Sequence, residues 1–466
     1  MKISLPIHSY EHRSPQVSSR RLVNCYAEQA PLQAKAPVAL LRSPGVRSWV
    51  TLPTSPVRGM CVHSNSLYVV AGARLYRVTQ GGAYTEIGSL PGTARVSMAS
   101  NGLQLVIVTN PNGYVYDGTL TQITDEDYTA RGASQVTVSD GFAIFVTPGS
   151  EDFFHSDYLD AKTFDGLNFS PTGGSPDKLN AIIADHRQLF LFGTESIELF
   201  YNAGSAGSPF TREANGFIEV GCGAAGSPAK ADNTVLWIDS ARIARKLSDL
   251  TPLRVSTHAL EQKWAGYSRI DDAYSFTVIH EGHTFWCVTF PSGGDTFLYD
   301  LATGEWSERR SRLLSGGDAH WRASGCVHAY GMNVVGDTRS GALGILAADC
   351  YTEFGMTLRM EATFPNIYAE GRRAFHHRLQ VDVQAGAGLV TGQGYDPQMM
   401  LYVSDDGGMT FDAVQSKGTG ELGQYTKRTT WNRLGSSTDR VYRVAISDPV
   451  SVSLWNATLE VEGGRL

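Results

Sequence analysis

Ser404, Asp406, Gly408, Thr410 and Phe411 stand in the stretch SDDGGMTF, a Ser-x-Asp-x-Gly-x-Thr-Phe spacing that follows an apolar run at residues 399–403. A carboxylate placed inside a tight turn can accept hydrogen bonds from the backbone N–H groups that follow it, and glycine supplies a conformation that other residues resist. Those jobs fall to Asp406 and Gly408, with Ser404 holding the turn entry, Thr410 closing the turn and Phe411 packing beneath it. The chemistry of this set is the stabilisation of a turn, not catalysis.

The spacing resembles the Asp-box turn of sialidases and other β-propellers. Sialidases also carry an arginine clamp, a Tyr nucleophile paired with Glu, and an acid/base Asp, and spacing alone identifies none of these here. Other groups that could do chemistry read as structure. GCGAAG (221–226) has the form of a dinucleotide fingerprint, but Pro228 and a β-branched strand follow it, where a helix would have to open toward a pyrophosphate. A flexible crossing between sheets is the expectation there. HEGH (280–283) and FHHR (375–378) lack the helical spacing of a zinc site, and turn or surface roles are expected. The acidic run TDEDY (124–128) lacks the glycine and carboxylate spacing of a calcium loop and reads as a solvated turn. No Gly-x-Ser-x-Gly elbow, P-loop or kinase set occurs. Paired carboxylates for glycoside chemistry could still converge from distant parts of a propeller. No catalytic, metal-binding or cofactor-binding residue is assigned, and no cofactor is expected.

The 466-residue chain that must position these groups is too long for one ordinary core, and about two or three domains are expected. Charged residues make up 18%, the net charge is -7 and glycines number 49, a balance that suits an all-β protein with many turns. The negative total argues against a protein that grips the outside of DNA, which needs a concentrated basic surface, but it allows DNA to slide past an acidic wall. Cys25, Cys61, Cys222, Cys287, Cys326 and Cys350 are scattered without a Cys-x-x-Cys pair, as expected of buried free thiols in a reducing compartment. The N-terminus shows no signal-peptide pattern and no window is apolar enough to span a bilayer, so folding in the cytoplasm is the expectation.

A unit of apolar strand, polar turn and second apolar strand recurs along residues 52–350, for instance in AIIADHRQLFLFG and FTVIHEGHTFWCVTF. Its period of about 35–50 residues is that of four-stranded propeller blades. The expectation is one propeller of six or seven blades, the last closed by a strand from elsewhere in the chain. TFLYDLATGEWSE (296–308) looks like the outer hairpin of a kelch-type blade, with Tyr299, Asp300, Gly304 and Trp306 in its usual roles. Helical periodicity is nearly absent, THALEQKWAGY (257–267) being the strongest stretch. After residue 351 the strands lengthen. Alternations such as Leu379, Val381, Val383 and Val441, Arg443, Ala445 point to a β-sandwich over 351–466, and residues 1–51 are expected to dock on it as an arm, making one discontinuous platform.

The two flanks carry a family resemblance. LPIHSYEHRSPQVSSRRLVNCYAEQ contains an Arg-x-x-Asn-x-Tyr-x-Glu element, Arg21, Asn24, Tyr26 and Glu28, and LLRSPGV supplies the turn Pro44-Gly45. Near the other end, Gly423, Tyr425, Arg428, Trp431, Arg433, Leu434, Gly435, Arg440 and Arg443 follow in order. These segments resemble the tail hub, or nozzle, proteins of short-tailed bacteriophages, the packaged-DNA stabilisation protein family.

That resemblance implies a structural, non-enzymatic virion protein. It implies a ring of identical subunits, usually six, below the portal and its adaptor ring, bearing tail fibres or spikes and continuing the channel through which DNA leaves without sequence-specific contact. It places the protein in the phage tail, assembled in the bacterial cytoplasm. Rings of this kind use heterologous, closing interfaces that need no active site. Arg, Trp and Tyr are enriched at interfaces, so Arg21, Asn24, Tyr26, Glu28, Pro44, Gly45, Tyr425, Arg428, Trp431, Arg433 and Arg440 are candidate ring-interface positions. The alternative is a propeller that binds or cleaves glycans, which would need carboxylates or aromatics converging at its central mouth. A generic propeller scaffold would be a monomer.

Overall fold

A computed structural model of the chain describes residues 1–31, 33–171, 176–205 and 209–464. Five four-stranded sheets are each built from consecutive antiparallel strands, at residues 57–89, 97–122, 135–171, 179–218 and 229–254, and a sixth set of four such strands, at 274–308, belongs to a larger sheet. These are blades one to six. A seventh joins Ala323–Ala329, Met332–Asp337 and Ala342–Ala347 to Gly45–Thr51, with Val46 opposite Leu346. The closing strand thus comes from the N-terminal arm, as the incomplete last repeat requires. It moves residues 45–51 out of the arm's platform portion and into the propeller, because their ladder runs along blade seven.

Each blade's innermost strand turns into the next at the same face of the propeller, and the turn residues explain why. Asp140-Gly141, Asp232-Asn233, Glu281-Gly282 and Tyr330-Gly331 all have positive φ at both positions, the geometry of a two-residue hairpin that matches strand twist. In HEGH the two histidines are therefore paired across a turn, and His283 Nδ1 lies 2.8 Å from Asp300 Oδ2. Tyr299, Asp300, Gly304 and Trp306 do form the outer hairpin of blade six, and Trp306 Nε1 donates to the Val255 carbonyl at 2.7 Å.

Between blades the backbones meet only at isolated points, such as the parallel bridge of Gly226 with Tyr274 and the bond from Val96 N–H to the Arg58 carbonyl, so side chains do much of the joining. Ser97 Oγ accepts from Val136 N–H at 3.1 Å, Thr137 Oγ1 accepts from Ala184 N–H at 3.3 Å, and Ser275 Oγ donates to the Ser227 carbonyl at 2.6 Å. The facing blade surfaces are apolar. Trp237, Trp264 and Trp286 are fully buried among them, each large side chain contributing roughly 2–3 kcal/mol of transfer free energy. Trp264 sits on the short helix His258–Ala265, where the sequence placed its strongest helical stretch. The run TDEDY is not a free turn. Asp125 caps the helix Glu126–Arg131, accepting from Asp127 N–H at 2.9 Å and Tyr128 N–H at 3.3 Å, and Tyr128 inserts into the core.

Most of the remaining strands form a two-sheet sandwich. One sheet orders Cys25–Gln29, Val38–Arg42, Ser453–Gly463, Ala374–Val383 and Thr429–Asn432, so both chain termini contribute. The other orders Ser19–Val23, Met360–Thr363, Asp439–Ile446, Gln398–Ser404 and Asp412–Gly418. Leu379, Val381 and Val383 face the core between the sheets. Along Asp439–Ile446 the residues that face it are Tyr442, Val444 and Ile446, not the alternate set read from the sequence, because this strand is buried on both sides. The second sheet does not stop at the sandwich. Val23 pairs in parallel with Glu308, so blade six and the sandwich sheet form one eleven-stranded sheet.

Candidate assembly site at the propeller–sandwich junction

The motif residues of the N-terminal arm converge on this seam. The Arg21 guanidinium donates to both Glu308 carboxylate oxygens, at 2.9 and 2.6 Å. Burial alone would push the Glu308 carboxyl up, but Arg21, Lys263 and Arg310 outweigh it and hold the group well below the usual carboxylate range. Asn24 takes a left-handed conformation, φ 54°, in which its amide donates to the Arg359 carbonyl at 2.7 Å while its Oδ1 accepts from Arg310 N–H at 3.0 Å. Tyr26 is 3% exposed, edge-on to His283 and Phe285, and its hydroxyl donates to Glu281 at 3.3 Å. Glu28 alone of the four is exposed.

Pro44 and Gly45 are buried where the arm enters blade seven. The Pro44 carbonyl accepts from Arg309 at 2.7 Å, and a Cβ on Gly45 would lie 2.2 Å from the Thr352 carbonyl oxygen, which only glycine avoids. Beside them Arg42 is 5% exposed and donates to the carbonyls of Leu358, Asp448 and Val450. Burial lowers its pKa to about 10. Arg309 and Glu353, both 2% exposed in their side chains, face each other at 3.8 Å. Arg42, Glu308, Arg309 and Glu353 were not singled out from the sequence. The charged run Glu308-Arg309-Arg310 in a chain otherwise poor in charge was the available signal.

In the sandwich, Asp406 accepts from the Ser404 hydroxyl at 2.6 Å, the Thr410 hydroxyl at 2.6 Å, Met409 N–H at 2.9 Å and Thr410 N–H at 3.0 Å. These donors, Ser404 foremost, hold its carboxyl well below the usual range. Gly408 sits at φ 99°, its N–H donating to Ser404 Oγ at 2.8 Å, and a Cβ there would strike Ser19 of the arm. Phe411 does not go beneath the turn into the core. It stays half-buried with the Arg443 guanidinium 3.7 Å from its ring centre. The neighbouring Asp405 pairs through both oxygens with Arg440, which is 3% exposed. Trp431 is 1% exposed and donates to the Gln415 carbonyl at 2.8 Å. Tyr425, Arg428 and Arg433 are exposed.

The candidate interface set therefore divides. Arg21, Asn24, Tyr26, Pro44, Gly45, Trp431 and Arg440 are corrected to internal fasteners, because their polar atoms are consumed within the subunit and their surfaces are covered. Glu28, Tyr425, Arg428 and Arg433 stay available to a neighbour.

The central mouth of the propeller is lined by Asp185, Lys230, Asp232, Asn233 and His328 among others, with no Phe, Tyr or Trp among the lining residues. Asp232 accepts from the Thr284 hydroxyl at 2.9 Å, and Asp185 lies 3.8 Å from Lys230. GCGAAG crosses from blade four to blade five and is closely packed rather than open, a Cβ on Gly221 falling 2.2 Å from Thr194. No cluster of three or more His, Cys, Asp or Glu with metal-binding geometry occurs among the described residues, and none of their helices is long and apolar enough to cross a membrane. All six cysteines are free.

Two family models match the chain: bacteriophage P22 Gp10, beta-propeller, over residues 3–351, and bacteriophage P22 Gp10, beta-sandwich, over residues 359–462. No curated protein sequence matches it. Solved structures similar to it include the computationally designed protein Ika8, at 12% identity and TM-score 0.39, covering 70% of this chain and 99% of that one. BamB from Moraxella catarrhalis is 11% identical at TM-score 0.40, covering 70% of this chain and 97% of that one. The N-terminal domain of Nup159 is 10% identical at TM-score 0.39, covering 68% and 97%.

Proposed function

We propose, on the premise that this chain belongs to the bacteriophage P22 Gp10 family of structural phage tail proteins, that it is the tail nozzle subunit of its phage. Several copies, about six, close a ring below the portal and its adaptor, retain the packaged DNA, conduct it during ejection and carry tail fibres or spikes. The protein acts without catalysis, and it folds and assembles in the bacterial cytoplasm before it resides in the virion tail.

The observation that carries this reading is the pairing of both family models, propeller and sandwich, along nearly the whole chain. The seam supports it, since a subunit in a load-bearing ring needs its two domains fixed relative to each other. Residues 1–51 and 351–466 together would form the ring platform, with 52–350 projecting from it, apart from the strand Gly45–Thr51 that closes the propeller. Glu28, Tyr425, Arg428 and Arg433 are the motif positions left to contact a neighbour, and the Asp-box turn stiffens the sandwich against the arm. For the glycan reading the mouth offers the carboxylates of Asp185 and Asp232 but no Phe, Tyr or Trp among its lining residues.

Light scattering on the purified protein, alone and after mixing with the portal–adaptor complex encoded beside it, tests the proposal. A ring of about six copies in either condition is expected. A chain that stays monomeric and ignores the adaptor overturns it.

A further inference from the structure

We infer that the mouth of the propeller is a docking trough for an extended, basic segment of a partner protein. A cavity of about 710 Å³ opens there, at the face where the innermost strands end in their hairpin turns. A second cavity of about 260 Å³ runs outward between blades four and five and shares Asp185, His186, Asn233 and Thr234 with the first. The two form one trough from the mouth toward Leu247 and Asp249, a shape that suits an extended chain better than a compact ligand.

The trough is entered from one side only. At the opposite end of the central channel, Arg95, just before blade two, stacks at 4.0 Å on Tyr274 of blade six. Gln135 of blade three donates across to the carbonyl of Ala225, which precedes blade five, at 2.7 Å. These contacts join blades that are not neighbours, so they bridge the channel. A strand of nucleic acid does not thread it, and an occupant lies along the mouth.

The charge of the trough selects that occupant. Asp185, Asp232 and Asp249 stand against one lysine, Lys230, whose ammonium already donates to the Ala184 carbonyl at 2.6 Å and neighbours Asp185 at 3.8 Å. Asp185 also meets His186 Nδ1 at 2.9 Å, which leaves the exposed carboxylates of Asp232 and Asp249 to focus their field on a cation in this concave surface. Ile279 protrudes into the same mouth at 64% exposure and offers an apolar surface to the methylene stem of a Lys or Arg whose head reaches the carboxylates. Threonine hydroxyls and the Asn233 amide supply neutral partners for a peptide backbone.

Fluorescence anisotropy of the intact chain with a short labelled peptide of alternating Lys and Thr tests the inference, with the Glu/Thr and Ser/Thr peptides as comparisons. Saturable binding of the basic peptide alone is expected. It should weaken by about tenfold or more in the double variant Asp185→Asn/Asp232→Asn, and Asn tolerates the left-handed turn position of residue 232. The exposed Ile279→Lys, which leaves the blade core untouched, should weaken it as well. The inference is overturned if no peptide saturates, if the neutral or acidic peptide binds equally, or if both variants bind like the parent protein. Ring formation is read separately by light scattering, so this test can fail while the nozzle reading stands.

Discussion

Neighbouring blades and the propeller–sandwich seam are held by opposite means. Between blades backbone pairing is confined to isolated contacts such as the Gly226–Tyr274 bridge, and single side chains such as Thr137 reach the backbone of the next strand. Each such bond is worth about 1 kcal/mol net. At the seam the ladder itself continues from blade six through Ser19–Val23 into the sandwich, and the ion pairs Arg21–Glu308 and Arg309–Glu353 are buried beside it. Breaking such a pair takes the main partner from a charge that is nearly closed off from water, Glu308 keeping only Arg310 at 3.4 Å. The lesson is one of tolerance. The blade ring spreads its cohesion over many small, replaceable bonds, whereas the seam concentrates it in a few groups that cannot be removed singly.

Substitutions can break that contrast, beginning with the largest effect. Trp431→Ala, which empties a fully buried site in the sandwich, should cost about 4 kcal/mol and lower the denaturant midpoint followed by circular dichroism. Arg21→Ala should cost about 3 kcal/mol and split a single calorimetric transition into two, because Glu308 loses its bidentate partner where the domains meet. If the transition stays single and unshifted, the seam is not a rigid joint held by this pair.

A smaller effect comes from His376, 2% exposed in the sandwich, whose ring nitrogens meet Tyr442 and Ser437. Burial and the nearby Arg440 lower its pKa from 6.5 to about 4. Between those values the unfolded chain binds a proton that the folded chain does not, so the contribution is complete above pH 6.5 and is lost as the pH falls toward 4. The loss should reach roughly 2 kcal/mol in denaturation curves across that window, and His376→Gln should flatten it. Smallest of all, Thr137→Ala should cost about 1 kcal/mol, with faster hydrogen exchange at the Ala184 amide and no change at the seam.

Much of the propeller could be read from the sequence because each of its first six blades is local. A turn such as Asp232-Asn233 or Glu281-Gly282 sits between the two strands it joins, and its residue types declare the left-handed backbone it adopts. The fourth strand of blade seven, Gly45–Thr51, pairs with residues near 345, and no local pattern marks that partnership. The site residues were harder still. Arg21 and Trp431 have the composition of a contact surface, but a seam inside one chain favours the same side chains as a joint between chains, and sequence does not distinguish them. Asp406 was legible because its partners lie within four residues of it.

The shared eleven-stranded sheet has a mechanical consequence. A pull on the propeller enters the sandwich along a hydrogen-bonded pairing instead of across a greasy contact that could peel. The narrowest point of that load path is the single parallel pairing of Val23 with Glu308, backed by the bond from Asn24 N–H to the Glu308 carbonyl at 2.8 Å. Glu308 is thus at once the rung that bears tension through its backbone and the anchor that Arg21 grips through its side chain, so traction on either domain is met at the same residue.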